Sequence, residues 1–267
     1  MDSGVGELSR GDELKRAAAN WAVSQLKGGM VVGLGSRSTA SFAVAEIGRR
    51  VQAGLHIVGI PTSENTAEQA RSLGIPLSTL GDHSEIDVTI DGADEVELRT
   101  LNLIKGGGGN LLREKIVATA SKRLVIVVDQ GKLVDRLHSR VPVEVAQFGW
   151  QSTARRLAAL GSEPVARVDS EGKMFVTDGG NFILDCAFGV LGSPAEIQAR
   201  LDATVGVVEH GLFIGLAPQV VVGEPSGVRI FIEQRKLCQR LLPKTVLRFT
   251  TRIGAKDRHW FSATAGL

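Results

Sequence analysis

Helical and extended patterns alternate through residues 12–104, and this alternation limits the fold more than any other feature of the sequence. Apolar residues recur at helical spacing in three segments, which short apolar or alternating runs and glycine or proline breaks separate. The predicted helices are residues 12–26, 39–51 and 63–73, and the predicted strands are residues 30–34, 55–60, 76–79, 87–90 and 101–104. This order is typical of a parallel sheet with helices on both faces.

The rest of the chain first continues this sheet and then changes pattern. Residues 124–128 form an uninterrupted apolar run, as expected of a strand buried on both faces, and Lys132 follows near its carboxyl end. From residue 141 onward, strands paired through tight turns accompany two helices. These strands are predicted at residues 141–145, 165–168, 174–177, 182–184 and 207–213, and the helices at residues 150–160 and 194–203. Residues 219–222 and 228–232 are predicted to return to the main sheet.

Composition places the chain among ordinary globular proteins, since 43% of its residues are hydrophobic and 22% are charged. Its two cysteines, Cys186 and Cys238, offer neither a disulfide framework nor metal-ligand spacing, and its five histidines show no short metal-ligand pairing. The first residues are polar and charged, and no apolar run approaches the length of a membrane span. We therefore expect a cytoplasmic protein with no metal site and no membrane association.

A turn rich in glycine and hydroxyl groups joins the strand at residues 30–34 to the next helix. Such a turn at a helix N-terminus binds phosphate, because free amides and the helix dipole point at the anion. The third glycine of the dinucleotide fingerprint and the lysine of a nucleotide P-loop are both missing, so neither NAD nor ATP is expected. An ordinary capped turn is the alternative to a site for a small phosphorylated metabolite. The residues of this turn that would contact the phosphate are Ser36, Arg37, Ser38 and Thr39.

The segment from Asp91 to Glu114 contains more polar chemistry than a connection between secondary structures requires. Two carboxylates, Asp91 and Asp94, follow a strand, and open α/β sheets bind ligands beyond the carboxyl ends of their strands. Lys105 precedes four consecutive glycines, which let backbone amides approach an anion or an oxygen-rich ligand closely. Each feature alone has an ordinary structural interpretation, but their convergence within one short segment predicts an active site.

Glu114 is expected about one turn into a helix that covers residues 111–120. Asn110 is the predicted N-cap of this helix. Leu112, Ile116 and Ala120 recur at helical spacing, so they are predicted to form its buried stripe. The carboxylate of Glu114 would then lie close to the glycine loop.

These patterns together predict an α/β fold with a Rossmann-like parallel sheet flanked by helices and a second, smaller α+β domain of ferredoxin-like type. Residues 1–140 and 215–233 are assigned to the Rossmann-like catalytic domain, and residues 141–214 to the smaller domain. Residues 234–267 form a basic C-terminal extension with eight lysines or arginines and one acidic residue. The extension has few aromatic residues and no recognised nucleic-acid motif, so we expect no nucleic-acid partner.

Four blocks of the sequence resemble the signature blocks of the type A ribose-5-phosphate isomerase family, in the family's order and at similar spacing. They read GLGSRSTA, DGADEV, KGGGGNLLREKIVA and VVDQGKLV. The combination of the second and third blocks is highly specific. The resemblance extends from about residue 11 to residue 232 and leaves the basic extension outside it.

The resemblance implies an aldose–ketose isomerase of the non-oxidative pentose phosphate pathway, acting on D-ribose 5-phosphate and D-ribulose 5-phosphate through a cis-enediolate. It implies no cofactor and no metal, a sugar phosphate as the small-molecule partner, and a homodimer or homotetramer. Glu114 is then the general base, Lys105 stabilises negative charge, and Asp91 and Asp94 move hydroxyl protons and bind hydroxyls in roles that could be exchanged. The implied substrate-binding residues are Ser36, Arg37, Ser38, Thr39, Asp91, Gly92, Ala93, Asp94, Lys105, Gly106, Gly107, Gly108 and Lys132.

Two positions depart from the family pattern. Arg37 stands where the family usually has glycine, and Gly131 stands where it often has serine. A left-handed φ costs a residue other than glycine ~1–2 kcal/mol, so Arg37 is strained if its φ is positive. Its guanidinium could also add a phosphate contact. We therefore expect altered phosphate affinity rather than lost catalysis.

Other functions remain open on the sequence alone. A non-catalytic sugar-phosphate sensor could use the same turn, although it would have no need of Glu114. An isomerase or deaminase of an amino-sugar phosphate is the nearest enzymatic alternative. A nucleic-acid-binding protein is the remaining class, and it rests on residues 234–267 alone.

Overall fold

The computed structural model describes residues 9–217 and 219–232, and the basic extension at residues 234–267 lies outside them. The helices are α1 (Arg10–Ser24), α2 (Arg37–Gln52), α3 (Glu64–Ser72), α4 (Leu111–Thr119), α5 (Trp150–Ala159) and α6 (Pro194–Asp202). None of these described helices is both long and apolar enough to cross a membrane.

Short strands alternate with these helices and form three sheets. The strands are β1 (Val31–Leu34), β2 (Val58–Pro61), β3 (Val88–Asp91), β4 (Glu95–Glu97), β5 (Leu103–Ile104), β6 (Leu124–Asp129), β7 (Leu133–Val134), β8 (Val141–Val145), β9 (Glu163–Ala166), β10 (Phe182–Ala187), β11 (Val207–His210), β12 (Leu212–Phe213), β13 (Gln219–Glu224) and β14 (Gly227–Ile232).

The largest sheet has six strands in the order β14-β13-β6-β3-β1-β2. Neighbouring strands from β2 to β13 run parallel, and the β13–β14 hairpin adds an antiparallel strand at one edge. Residues 124–128 of β6 are buried throughout, because both faces of the sheet are covered. The predicted α/β fold with a Rossmann-like sheet is therefore confirmed, and the sheet is mixed at its edge.

The register of this sheet determines where the polar turns meet. Leu34 of β1 pairs with Ile90 of β3, and Asp91 pairs with Ile126 of β6. Because these strands are parallel, the turns that follow them open at the same edge. Fully buried alanines of α1 pack against α2 and the sheet behind that edge, and their small side chains allow close approach.

A second, antiparallel sheet has the order β11-β8-β10-β9, and α5 and α6 pack on it. Leu157 of α5 and Leu201 of α6 are fully buried in one core with Val143 of β8 and Leu184 of β10. Antiparallel strands with two helices agree with the predicted smaller α+β unit. The exact domain boundaries at residues 140/141 and 214/215 stay predictions.

A third sheet, with the order β12-β5-β4-β7, is absent from the expectations because its strands contain only two or three residues each. The prediction of one strand over residues 207–213 is wrong, since Gly211 divides it between two sheets. The Gly211 N–H donates to the Pro142 carbonyl of the antiparallel sheet, and the Gly211 carbonyl accepts from the Lys105 N–H. A Cβ at position 211 would overlap the Lys105 carbonyl oxygen, so only glycine fits at this junction.

Candidate active site

An open cavity of about 100 Å³ lies beyond the carboxyl ends of β1 and β3. Every residue that lines it belongs to the set predicted from the sequence. The lining residues are Ser36, Arg37, Ser38, Thr39, Gly92, Ala93, Asp94, Lys105, Gly106, Glu114 and Lys132. Three predicted site residues, Asp91, Gly107 and Gly108, lie beside the cavity but not along its lining.

Asp91 is buried beneath the turn that follows β1, with 1% of its surface exposed. Its Oδ1 accepts hydrogen bonds from the backbone N–H groups of Gly92 at 2.8 Å and Ser36 at 3.2 Å. Its Oδ2 lies 2.9 Å from Lys105 Nζ. Both carboxylate oxygens are thus engaged within the protein, and Asp91 joins the turn to the lysine.

Lys105 is a buried ammonium, with 3% of its surface exposed. Its Nζ contacts Asp91 Oδ2, lies 3.2 Å from Glu114 Oε2, and donates to the Gly92 carbonyl at 2.6 Å. Burial alone would lower the pKa of Lys105, but the carboxylates of Asp91 and Glu114 outweigh it and raise the pKa above its ordinary value. The site therefore keeps a fixed positive charge beside Glu114.

Glu114 lies in the first turn of α4 and is buried, with 2% of its surface exposed. Burial raises its pKa to about 7, although the nearby Lys105 ammonium opposes this shift. Its Oε2 has no well-directed hydrogen-bond donor among the described residues. A carboxylate with a pKa near neutrality can both accept and return a proton.

The predicted buried face of α4 is wrong. Leu111, Glu114, Val117 and Ala118 are its buried residues, whereas Ile116 is 46% exposed. The helix is rotated about its axis so that a carboxylate faces the protein interior. A search for apolar periodicity cannot find this face, because it excludes the glutamate at its centre. Asn110 occupies the N-cap position, but its side chain makes no capping hydrogen bond.

The residues on either side of Glu114 anchor α4 to distant elements. Arg113 Nη1 lies 2.8 Å from Glu64 Oε1 in α3. Lys115 Nζ lies 2.6 Å from Glu209 Oε1 and donates to the His210 carbonyl at 2.7 Å, both in β11. The Lys115 contacts are largely buried and help to fix the rotation of α4, whereas the exposed Arg113–Glu64 pair contributes little.

The predicted phosphate turn forms the N-terminus of α2. This helix begins at Arg37, two residues earlier than expected, and Ser36 is its N-cap residue. The Ser36 hydroxyl bonds with the Thr62 hydroxyl at 2.7 Å instead of capping the helix, so the first amides of α2 keep no side-chain cap. Ser38 and Thr39 follow in the first turn, and Lys132 faces the same cavity. A free helix N-terminus, two hydroxyls and a lysine suit a phosphate group.

Arg37 adopts a left-handed backbone conformation with φ of 71°. Its Nη1 lies 3.5 Å from Asp94 Oδ1, and its side chain lies against Gly107 and Gly108, where added Cβ atoms would overlap it. The Gly107 N–H donates to Asp94 Oδ2 at 2.8 Å. The glycine loop thus orients Asp94 and supports Arg37, and Gly106 is its contribution to the cavity lining.

A cluster near β11 contains three groups with metal-ligand chemistry. The ligand atoms of Asp202, Glu209 and His210 lie within 4.8 Å of one another. However, His210 Nδ1 accepts from the Leu212 N–H, so Nε2 carries the ring hydrogen and donates to Asp202 at 3.0 Å. Burial and the neighbouring Lys115 ammonium lower the pKa of His210. The donor set therefore fits a structural hydrogen-bond network better than a metal centre.

Arg167 contacts the site and has no signal in the sequence. Its Nη1 donates to the carbonyls of Gly106 and Gly107, about sixty residues earlier in the chain. It lies just after β9 in a stretch without any motif. Only the pairing of β9 with β10 brings it to the glycine loop.

The comparisons with known proteins all find similarity to the same protein family. The model of the family described as ribose 5-phosphate isomerase A (phosphoriboisomerase A) matches residues 58–227. The ribose-5-phosphate isomerase A of Gloeobacter violaceus is 56% identical over 221 residues, which cover 82% of this chain and 96% of the relative. That of Gluconobacter oxydans is 54% identical over 217 residues, which cover 80% and 94%.

Solved structures show the same likeness. The ribose 5-phosphate isomerase A of Methanocaldococcus jannaschii superposes with a TM-score of 0.80 at 38% identity, covering 83% of this chain and 99% of that one. A D-ribose-5-phosphate isomerase in complex with phospho-erythronic acid also has a TM-score of 0.80, at 35% identity, covering 83% and 98%.

Proposed function

The chain belongs to the ribose 5-phosphate isomerase A family and carries that family's isomerase activity, and we propose how its cavity performs the reaction. D-Ribose 5-phosphate and D-ribulose 5-phosphate differ by a proton moved from C2 to C1 and by the matching change between O1 and O2. The protein must therefore remove a carbon-bound proton, stabilise the resulting cis-enediolate, and return the proton to the neighbouring carbon.

Glu114 is the general base of this reaction. The observation that carries the assignment is a buried carboxylate that belongs to the cavity lining, lies 3.2 Å from the Lys105 ammonium and has a pKa of about 7. Near neutral pH the ionised form takes the proton from C2, and the same group, now protonated, delivers it to C1. The largely buried contacts of the neighbouring Lys115 help to keep this carboxylate in one orientation.

Lys105 supplies the positive charge next to the reacting oxygens. Its ammonium lies 3.2 Å from the base and is held by Asp91, so it needs no rearrangement when negative charge develops on the enediolate. Removing a donor of this type typically costs ~10²–10³ in rate.

The geometry favours Asp94 for both hydroxyl roles that the sequence divides between the two aspartates. Asp91 is fully engaged with Lys105 and two backbone N–H groups and does not line the cavity, so its role is to orient Lys105. Asp94 lines the cavity and is the better candidate to bind the sugar hydroxyls and move their protons. Ser36 to Thr39, the N-terminus of α2 and Lys132 would hold the phosphate.

The decisive experiment compares the parent protein with Glu114→Gln in a ribose 5-phosphate conversion assay that contains excess chelator. We expect a chelator-resistant parent whose kcat/KM rises with pH through about 7, because only the ionised base is active. Glu114→Gln should lose roughly 10²–10⁴ in kcat, the usual range for a general base. The matched control is Glu196→Gln, which alters a first-turn glutamate of α6 away from the cavity and should retain full activity.

Phospho-erythronic acid serves as the binding probe in the same experiment. If Glu114→Gln binds this acid as the parent does, its loss of activity reflects missing chemistry rather than a collapsed site. A parent that binds sugar phosphate without converting it would support a sensor instead. Ammonia release from an amino-sugar phosphate would support the deaminase alternative.

The oligomeric state and the location in the cell are separate proposals. The homodimer or homotetramer implied by the family resemblance would be tested by analytical ultracentrifugation. Cytoplasmic localisation would be tested by cell fractionation.

A further inference from the structure

The antiparallel sheet reaches the glycine loop through the side chain of Arg167. Nη1 donates to the Gly106 carbonyl at 3.0 Å and to the Gly107 carbonyl at 3.3 Å. The other edge of the guanidinium is paired with Asp185 of β10, where Nε lies 2.9 Å from Oδ2 and Nη2 donates to Oδ1. Such a bidentate pair fixes the plane of the guanidinium as well as its position.

A second contact supports the far end of the loop. The Phe175 ring lies beside the Arg167 guanidinium, 5.9 Å from its central carbon to the ring centroid. The edge of the same ring fills the space next to Gly109, where a Cβ would overlap it. Both ends of the glycine loop therefore rest on side chains of the smaller α+β unit.

The orientation of the Gly106–Gly107 peptide links Arg167 to Asp94 in the cavity wall. In a planar trans peptide, the C=O and N–H groups point to opposite sides. Because Arg167 holds the Gly106 carbonyl on its own side, the Gly107 N–H points the other way, and there it donates to Asp94 Oδ2 at 2.8 Å. The chain of contacts runs from Asp185 through Arg167 and this peptide to a carboxylate that lines the cavity.

We propose that Arg167 is a positioning residue for the isomerase reaction, acting on Asp94 through the Gly106–Gly107 peptide. This inference rests on the proposed function, since it assigns Asp94 to the sugar hydroxyls. Without Arg167, both carbonyls lose a charged donor and the peptide is free to rotate, so Asp94 loses the N–H that orients it. Arg37 lies against the glycine loop, but the N-terminus of α2 and Lys132 would still hold the substrate phosphate, so we expect kcat to fall more than KM rises.

The first test measures kcat and KM for Arg167→Ala and Arg167→Lys. We expect kcat of the alanine variant to fall about 10²-fold, the loss that a misplacement of about 1 Å produces, with KM changed less than threefold. Lysine can reach one carbonyl but cannot also hold Asp185 in a bidentate pair, so it should restore activity only in part. The matched control is Arg140→Ala, because Arg140 also donates to Asp185, at its backbone carbonyl, yet no contact with the glycine loop is described for it.

A double variant separates positioning from a general loss of stability. If Arg167 acts through Asp94, Arg167→Ala combined with Asp94→Asn should be no slower than Asp94→Asn alone. Additive losses, an equal loss in Arg140→Ala, or a kcat of Arg167→Ala within twofold of the parent would each overturn the proposal. Thermal unfolding of each variant verifies that the assayed protein is folded. An active parent with a fully active Arg167→Ala rejects this inference alone, whereas an inactive parent rejects the proposed function.

Discussion

At the scale of single residues, Glu114 is held where burial and ion pairing oppose each other. Burial favours the neutral acid and the Lys105 ammonium favours the carboxylate, and the balance leaves the pKa at about 7. Burial alone would raise the pKa of Glu114 further, and the ammonium alone would lower it. A carboxylate that must take a proton and then return it needs both.

The same balance predicts that the free energy of unfolding falls as the pH rises from acid to neutral. The folded-state pKa of about 7 lies above the ordinary value of 4.5, so Glu114 destabilises the fold progressively as pH rises from about 4.5 to 7. At 1.36 kcal/mol per pKa unit, the full effect is roughly 3 kcal/mol. Glu114→Gln cannot ionise, so its free energy of unfolding in urea should exceed that of the parent at pH 8 but not at pH 4.5. An excess that is the same at both pH values would contradict the assignment, and Glu196→Gln should show none.

Arg37 leads to a prediction about substrate affinity. Its φ of 71° confirms the positive φ considered from the sequence, and its guanidinium lies at the cavity beside Asp94. Arg37→Gly relieves the backbone and removes the charge, so it should change mainly KM for ribose 5-phosphate. Arg37→Lys keeps both the charge and the backbone restriction and should resemble the parent. Steady-state kinetics test this, and a change confined to kcat would count against a role in binding.

The identity of the site residues could be predicted from the sequence more fully than their contacts. Most of the lining residues follow strands of the parallel sheet or begin helices, and position along the chain brings such residues to one edge of that sheet. Lys105 instead follows β5 of the third sheet. Whether Asp91 or Asp94 faces the cavity depends on side-chain torsions, which periodicity does not record. Arg167 could not be predicted, because its approach to the glycine loop depends on tertiary packing.

At the scale of elements, α4 illustrates how a helix presents a charged group to the interior. Two ion pairs, Arg113 with Glu64 and Lys115 with Glu209, join it to α3 and to β11. The ammonium groups of Lys115 and Lys105 also lie about 5 Å from the centroid of the same buried ring, Phe213. The largely buried Lys115 contacts thus help to hold the helix in addition to its buried apolar residues.

Lys115→Met tests this anchoring. This substitution leaves the largely buried Glu209 carboxylate without its cation. Breaking a fully buried ion pair in this way lowers the free energy of unfolding by roughly 3–5 kcal/mol. Because Lys115 is 12% exposed, we expect a loss of about 2–3 kcal/mol in urea unfolding, together with a lower kcat. The control, Lys122→Met, removes an exposed lysine that pairs with Glu85 and Asp87, and it should cost less than about 1 kcal/mol. Equal losses in the two variants would show that Lys115 has no special role.

Elements with long periodic patterns were the most predictable. The helices and the six strands of the main sheet lie within a few residues of their expected positions. The predictions of strands at residues 76–79 and 174–177 are wrong, because only isolated bridges form there, at Leu77, Met174 and Val176. The two-residue strands β5 and β12 are shorter than the strands predicted over residues 101–104 and 207–213, and β7 has no counterpart among the predicted strands. All three pair with neighbouring strands of the third sheet. The break between β11 and β12 at Gly211 likewise reflects the close approach of the Gly211 and Lys105 backbones, which no residue pattern predicts.

At the scale of the whole molecule, three sheets contribute to one cavity. The six-stranded sheet supplies the turns after β1 and β3, the small third sheet carries Lys105 at the end of β5, and the antiparallel sheet supports the glycine loop through Arg167. The cavity therefore depends on how these sheets are packed together as well as on its own residues.

The basic extension leads to the prediction for the whole chain. Aligned relatives cover 96% of their own length with 82% of this chain, and every site residue named above precedes residue 233. Deleting residues 234–267 should therefore leave kcat and KM within about twofold of the parent. RNA titrations of both proteins at two salt concentrations form the control, and we expect no salt-dependent binding by either. A large loss of activity on deletion would assign the extension a role in catalysis or assembly.

The backbone junction at Gly211 has a consequence for the order of events during folding. Gly211 bonds to Lys105, 106 residues earlier, and to Pro142, 69 residues earlier, so this junction closes only after long stretches of chain have been brought together. Contacts between residues so far apart in sequence are slow to form, because closing a long loop lowers the chain entropy before the contact can stabilise it. We therefore expect a refolding chain to regain its helices, whose hydrogen bonds are local, before Lys105 is fixed in place. Catalytic competence should be the last property to return.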